Sequence, residues 1–274
     1  MNWSRTKTWL IVLFVGINLF LIITLIRNNI ALSTISEQTV QDTVAVLERN
    51  GISVDAQIMP KSTPVLSAVE VLNTANPPVA TAEKLLGGAV TQDGNRYLRG
   101  TASVRFDGDT FYYDNPHPAT DMAYTTEQEA LEQAKIYLTN AGFDISKAQA
   151  SVIRYKRSET QIIFTQKLDS YPLLDSKIYL RITPNGIREM EGCWFYMSSD
   201  QRSGSGAHGR VKPVTSILID FINDPAREQT STQIVNITLG YTTGDKSTYH
   251  KSVSAMPSWC ITTADGYIYY YDAR

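Results

Sequence analysis

The residues best suited to chemistry in this 274-residue chain are its three histidines, and they lie far apart: His117, His208 and His250. Two of them stand beside Pro or Gly in evident loops, and none has the i, i+4 histidine or the nearby cysteines of a zinc site. They read as surface residues, and no metal is expected. "FDGDT" (Phe106 to Thr110) carries two carboxylates but neither the length nor the terminal Glu of a calcium loop, so it reads as a hairpin turn. "RSGSGAHGR" (Arg202 to Arg210) contains Ser203 and Ser205 without the G-x-S-x-G turn of a hydrolase. A nucleophile there would need a base and an orienting acid from elsewhere in the fold. "YIYYYD" (Tyr267 to Asp272) could stack on a sugar or peptide, although aromatic residues in a strand more commonly pack across strands. "RYKR" (Arg154 to Arg157) reads as a solvated strand face. No catalytic, cofactor or metal residue is therefore expected. Cys193 and Cys260 are too few for a disulfide scaffold. Both sit in strand-like stretches, and either one disulfide or two buried thiols fits them.

The residue that most needs a functional explanation is Asn18, a side-chain amide inside "WLIVLFVGINLFLIITLI" (Trp9 to Ile26), eighteen residues without a charge. At about 1.5 Å per helical residue the run is roughly 27 Å long, close to the thickness of a bilayer core. A cleaved signal peptide is the competing reading, since "IALS" (Ile30 to Ser33) offers small residues for a peptidase. The run exceeds the usual signal length, and Trp9 and Arg27 suit interfacial anchors, so a retained transmembrane helix is expected. Arg5 and Lys7 precede it, which places the N-terminus in the cytoplasm and the remainder outside. Ile11, Phe14, Asn18, Leu21 and Leu25 share one helical face, with no pair of small residues to drive close packing. An amide in hydrocarbon is costly unless another helix satisfies it, so this face is the candidate partner-binding site. The plainer alternative is that one amide is tolerated there.

Stepping outward from the span, the chain holds 25 basic and 27 acidic residues; setting aside Arg5, Lys7 and Arg27 leaves 22 against 27, a net charge near −5. That argues against a nucleic-acid partner. The periodicity predicts α+β layers, each a mainly antiparallel sheet with helices on one face. The expected divisions are a cytoplasmic tail 1–8, a transmembrane helix 9–27, a juxtamembrane helix and linker 28–51, a first α+β block 52–118 and a second region 119–274. The second comprises a helix and meander 119–200, a loop 201–210, and a C-terminal helix and strands 211–274. Val40, Val44 and Leu47 face one way on the juxtamembrane helix, which is expected to continue outward from the span and to end at Gly51. "ISVDAQIM" and "VLSAVEVL" read as strands, and "DNPHPATD" (Asp114 to Asp121) as the block boundary. Thr125 or Thr126 caps the next helix with Glu129 near the capping-box position. Asn185-Gly186 reads as a hairpin turn, and Pro213 begins the last helix.

"NWSRTKT" (Asn2 to Thr8) running into one span, with "ITLGY" (Ile237 to Tyr241), "PSWCI" (Pro257 to Ile261) and "DGYIYYYDA" (Asp265 to Ala273) at the other end, resembles the YycI branch of the YycH/YycI regulatory proteins of Gram-positive bacteria. "EALEQAKIYL" and "SYPLLDSKIYLRITPNG" fit between them in order and spacing, so the likeness covers essentially the whole chain. Asp272 stands where that family's Asn is expected, and Cys260 follows Trp259 where other residues are expected. The resemblance implies a membrane-anchored, extracytoplasmic, non-enzymatic accessory protein. It would work with a YycH-like partner to set the activity of the sensor histidine kinase YycG, also called WalK, which is linked to the cell wall. An exported wall-associated enzyme or inhibitor, with its site in a cleft between the two blocks, is the alternative from another class.

Overall fold

The computed structural model describes residues 3–119, 122–156, 158–197, 209–230 and 232–274. Ser203, Ser205, His208 and Arg157 lie outside the described residues, as do the last two positions of "DNPHPATD". The helices are α1 (Trp3–Ser33), α2 (Glu37–Arg49), α3 (Pro78–Leu86), α4 (Glu127–Asn140) and α5 (Val214–Asn223). In chain order the strands begin with β1 (Ser53–Val54), β2 (Val65–Leu66), β3 (Val69–Asn73), β4 (Thr91–Asp93), β5 (Arg96–Arg99), β6 (Ala102–Asp107) and β7 (Thr110–Asp114). They continue with β8 (Gln149–Arg154), β9 (Thr160–Leu168), β10 (Tyr171–Thr183), β11 (Gly186–Gly192) and β12 (Phe195–Met197). The last four are β13 (Gly209–Arg210), β14 (Gln233–Thr242), β15 (Ser252–Thr263) and β16 (Ile268–Asp272).

Local signals account for most of these elements. Ser36 caps α2 by accepting a hydrogen bond from Thr39 N at 3.1 Å, and Val40, Thr43 and Leu47 form its buried stripe. Two adjacent threonines start α4. Thr126 Oγ1 accepts from Glu129 N at 3.2 Å, while the Glu129 carboxylate accepts from Thr125 N and Oγ1 at 2.7 and 2.9 Å. Those donors hold the exposed Glu129 carboxyl below its ordinary range, the Thr125 backbone N–H first.

Other local expectations are corrected. The juxtamembrane helix does not run on from the span: Thr34 bridges Ser62 and Ile35 N donates to Lys61 O, so the chain breaks before Ser36 opens α2. Within "ISVDAQIM" two residues pair as a strand, because Asp55 accepts from Gln57 N at 2.8 Å and winds Ala56–Ile58 into a 3-10 turn. The hairpin near Asn185 closes as Thr183 opposite Gly186, so its two turn residues are Pro184 and Asn185.

The elements assemble into two helix-covered layers, consistent with α+β. In one, the strand order β4-β5-β6-β7-β11-β10-β9-β8 is antiparallel throughout. Its apolar face packs with α3 and α4 around Leu85, Phe111, Leu138, Ile162, Phe164 and Ile178. In the other, β1, β14, β15 and β16 pack with α2 and α5 around Val40, Leu47, Ile217, Phe221, Trp259 and Ile261. Here β1 pairs with β14 in parallel, the remainder antiparallel.

These layers do not follow the division at residue 118. β7 pairs with β11 from Asp114↔Glu189 to Phe111↔Gly192, which fuses the end of the expected first block into the meander of the second. Its beginning goes elsewhere: β1 pairs with β14 and β2 with β13, across the length of the chain. Proline and asparagine in "DNPHPATD" report a turn, whereas a strand's partner is chosen by which buried face it completes.

The layers meet along two long strands. The start of β10 touches β14 in parallel at Leu173↔Tyr241, and the first half of β15 pairs with β3, itself edged by β12. A third cluster, Val71, Leu168, Leu173, Cys193, Phe195, Tyr241 and Ala255, fills this joint.

Candidate functional site

α1 supplies the first candidate. From Lys7 to Leu25 it has a mean hydropathy of 2.5, and none of that stretch is buried against the remainder of the chain. Ile11, Phe14, Leu21 and Leu25 are 57 to 68% exposed, and Asn18 shares their face. Asn18 Nδ2 donates to Phe14 O at 2.8 Å, one helical turn back. That bond uses one of the amide's two hydrogens, and the side chain retains donor and acceptor capacity beyond it. Thr24 is treated likewise, its hydroxyl donating to Phe20 O at 2.9 Å.

The second candidate was not anticipated from sequence: a polar clasp that holds the β14–β15 connection, residues 243–251, against the first layer. Asp109, 2% exposed in the β6–β7 turn, accepts from His250 N at 2.6 Å, from His250 Nδ1 at 2.7 Å and from Asn73 Nδ2 at 3.0 Å. Its own N–H donates to Lys246 O at 3.0 Å. Gly108, beside it, has φ 57°, and any Cβ there would collide with the Lys246 carbonyl. "FDGDT" is thus a hairpin turn, as read, but one of its two carboxylates is an interior anchor. His250, read as a surface residue, is its partner; His117 does sit at the surface. Neither residue type nor spacing announces the pairing.

Asp175 holds the other end of the clasp. Its Oδ2 accepts from Thr243 N at 2.9 Å and Thr243 Oγ1 at 3.1 Å, while Oδ1 is buried without a partner. Lys246 Nζ donates to Asp175 O and lies 2.9 Å from Cys193 Sγ. Burial pushes the Cys193 thiol above its ordinary value, and the Lys246 ammonium pulls it partly back. Cys193 and Cys260 are both free. Among the described residues no group of three His, Cys, Asp or Glu side chains is placed to hold a metal ion.

Beside the clasp the uncovered face of the sheet forms an open cavity of about 360 Å³, walled by Tyr112, Tyr179, Glu191, Ile268 and Tyr270 with Lys246 at its edge. "YIYYYD" divides between two environments. Tyr269 and Tyr271 turn inward onto Phe221 at 5.3 and 6.4 Å, whereas Ile268 and Tyr270 face the cavity. Burial, helped by Cys260, pushes the Tyr270 phenol up to about 12.

A model of the YycI protein family matches residues 31–274. The chain belongs to the YycI family. Membership makes it a regulator of the YycG/WalK kinase system, and YycI proteins are accessory regulators rather than a known enzyme family. No curated protein matches the chain. Among solved structures it is similar to an uncharacterized protein from Eubacterium rectale, with a TM-score of 0.49 and 12% identity over 79% of this chain and 86% of that one.

Proposed function

We propose that this protein is a single-pass membrane regulator that sets the output of a YycG/WalK-type sensor histidine kinase together with a YycH-like partner. The N-terminus lies in the cytoplasm and the two-layer domain outside, following the Arg5 and Lys7 bias before an apolar run long enough to cross once. Lipid surrounds most of α1. The contact face is Ile11, Phe14, Asn18, Leu21 and Leu25.

The observation that carries this reading is the state of Asn18. Its bond to Phe14 O lowers the cost of placing an amide in hydrocarbon without exhausting its hydrogen-bonding capacity, so insertion is tolerated and a second helix still gains by approaching. An interhelical hydrogen bond of this kind is worth on the order of 1 kcal/mol. Regulation then proceeds by association: the span brings the chain to the kinase, and the joint between the layers transmits the geometry of the exported domain.

The test is co-purification from membranes. Asn18→Leu is expected to insert and express normally, to recover less kinase and less YycH-like partner, and to alter kinase output. Equal recovery and equal signalling at equal expression would overturn the assignment and move the contact to α2 or to the exported layers.

A further inference from the structure

The joint between the layers contains a second reactive arrangement that association with a kinase does not require. Cys193 follows β11 in the first layer, and Lys246 belongs to the β14–β15 connection of the second, yet Sγ and Nζ are 2.9 Å apart. Both side chains line the open cavity of about 360 Å³, which is where Cys193, 4% exposed, opens toward solvent. Lys246 is held there from behind: Nζ also donates to Asp175 O and lies 3.7 Å from Asp175 Oδ2. The Lys246 carbonyl receives the Asp109 N–H at 3.0 Å, so the residue is fixed at both its backbone and its tip. Gly192, next to Cys193, has φ 155° and packs against the Lys177 backbone where any Cβ would collide, which fixes the other partner.

We infer that Cys193 and Lys246 form an oxidative cross-linking site, at which hydrogen peroxide drives a covalent bond between Sγ and Nζ that staples the two layers together. In the first step the Cys193 thiolate attacks peroxide. A sulfur–oxygen bond forms, the oxygen–oxygen bond breaks, water is released, and the sulfur is oxidised by two electrons to a sulfenic acid. In the second, the Lys246 ammonium loses a proton to solvent in the open cavity, and the neutral amine attacks the sulfenic sulfur. The sulfur–nitrogen bond forms, the sulfur–oxygen bond breaks, and the hydroxyl takes up one hydrogen of the amine and leaves as a second water. One peroxide is consumed, two waters are produced, and the product is a sulfenamide that small thiols reverse. The staple closes the clasp covalently and removes relative movement of the layers, an input to regulation separate from the transmembrane contact.

The experiment uses the full chain in detergent micelles, treated with hydrogen peroxide, digested without reductant and analysed by mass spectrometry. Expected is a joined pair of peptides containing Cys193 and Lys246, lighter than their sum by two hydrogens. It should vanish on treatment with dithiothreitol and be absent from Cys193→Ser and from Lys246→Arg, which keeps the charge. Cys193 carried to sulfinic or sulfonic acid with an unmodified Lys246 peptide, a Cys193–Cys260 disulfide, or an untouched Cys193 would each overturn the inference. The wild-type reading depends on neither variant folding.

Discussion

Asn18 and Asp109 are both polar side chains in apolar surroundings, and they draw their partners from opposite distances along the chain. Asn18 bonds to a carbonyl four residues back, while Asp109 bonds to Asn73 and His250, 36 and 141 positions away. A group satisfied by its own helical turn costs little wherever the helix goes and fixes nothing beyond it. A group satisfied from afar fixes the fold, because every alternative arrangement leaves buried donors unpaired. The Asn18 bond therefore leaves α1 untied to the remainder of the chain, whereas the Asp109 bonds hold the joint together.

The sharpest attempt to break that contrast is Asp109→Ala. It strands the His250 N–H and the Asn73 amide in the joint, and a loss of about 3 kcal/mol is expected, read as a lowered thermal midpoint of the full chain in detergent. A midpoint equal to wild type would mean that the clasp contributes nothing. Thr126→Ala removes a bond that spans three residues, Thr126 Oγ1 to Glu129 N, and should cost about 1 kcal/mol in the same measurement. If it costs as much as Asp109→Ala, local and distant satisfaction do not differ as argued.

A smaller effect comes from pH. Tyr270 binds its proton more tightly in the folded chain, about 12 against an ordinary 10.0, because burial disfavours the phenolate. The stability it contributes is fully present below the ordinary value and is lost as pH rises through the folded one. Tyr270→Phe should therefore lose less of its melting temperature than wild type between neutral and strongly alkaline buffer. Parallel losses in the two proteins would place the alkaline sensitivity elsewhere. Smallest of all is the expected change in melting on Asn18→Leu: none that can be measured, since that face of α1 packs on nothing else described in the chain. Destabilised layers in that variant would show that α1 and the layers are coupled within one molecule.

What the sequence determined by itself is whatever short-range physics decides. The apolar length of the span, the Ser36 and Thr126 caps, the stripe of Val40 and Leu47, and the alternating burial of β9 all depend on residues within a turn or a strand of one another. The α+β class follows from those elements, and the family resemblance from short words of sequence in order and spacing, despite the departures at Asp272 and Cys260. Tertiary structure alone decided how the layers are composed. Nothing near Ser53 says that it pairs with Gln233, nor near Asp114 that it opposes Glu189. It also decided which polar residues are interior. Asp107 and Asp109 flank the same glycine, yet the first is exposed and the second is an anchor, because the segment that buries Asp109 arrives from residues 243–251. Cys193 meets Lys246 for the same reason. Burial is a property of what packs on a residue, and for a sheet whose strands pair across the whole chain that neighbour is written nowhere near it.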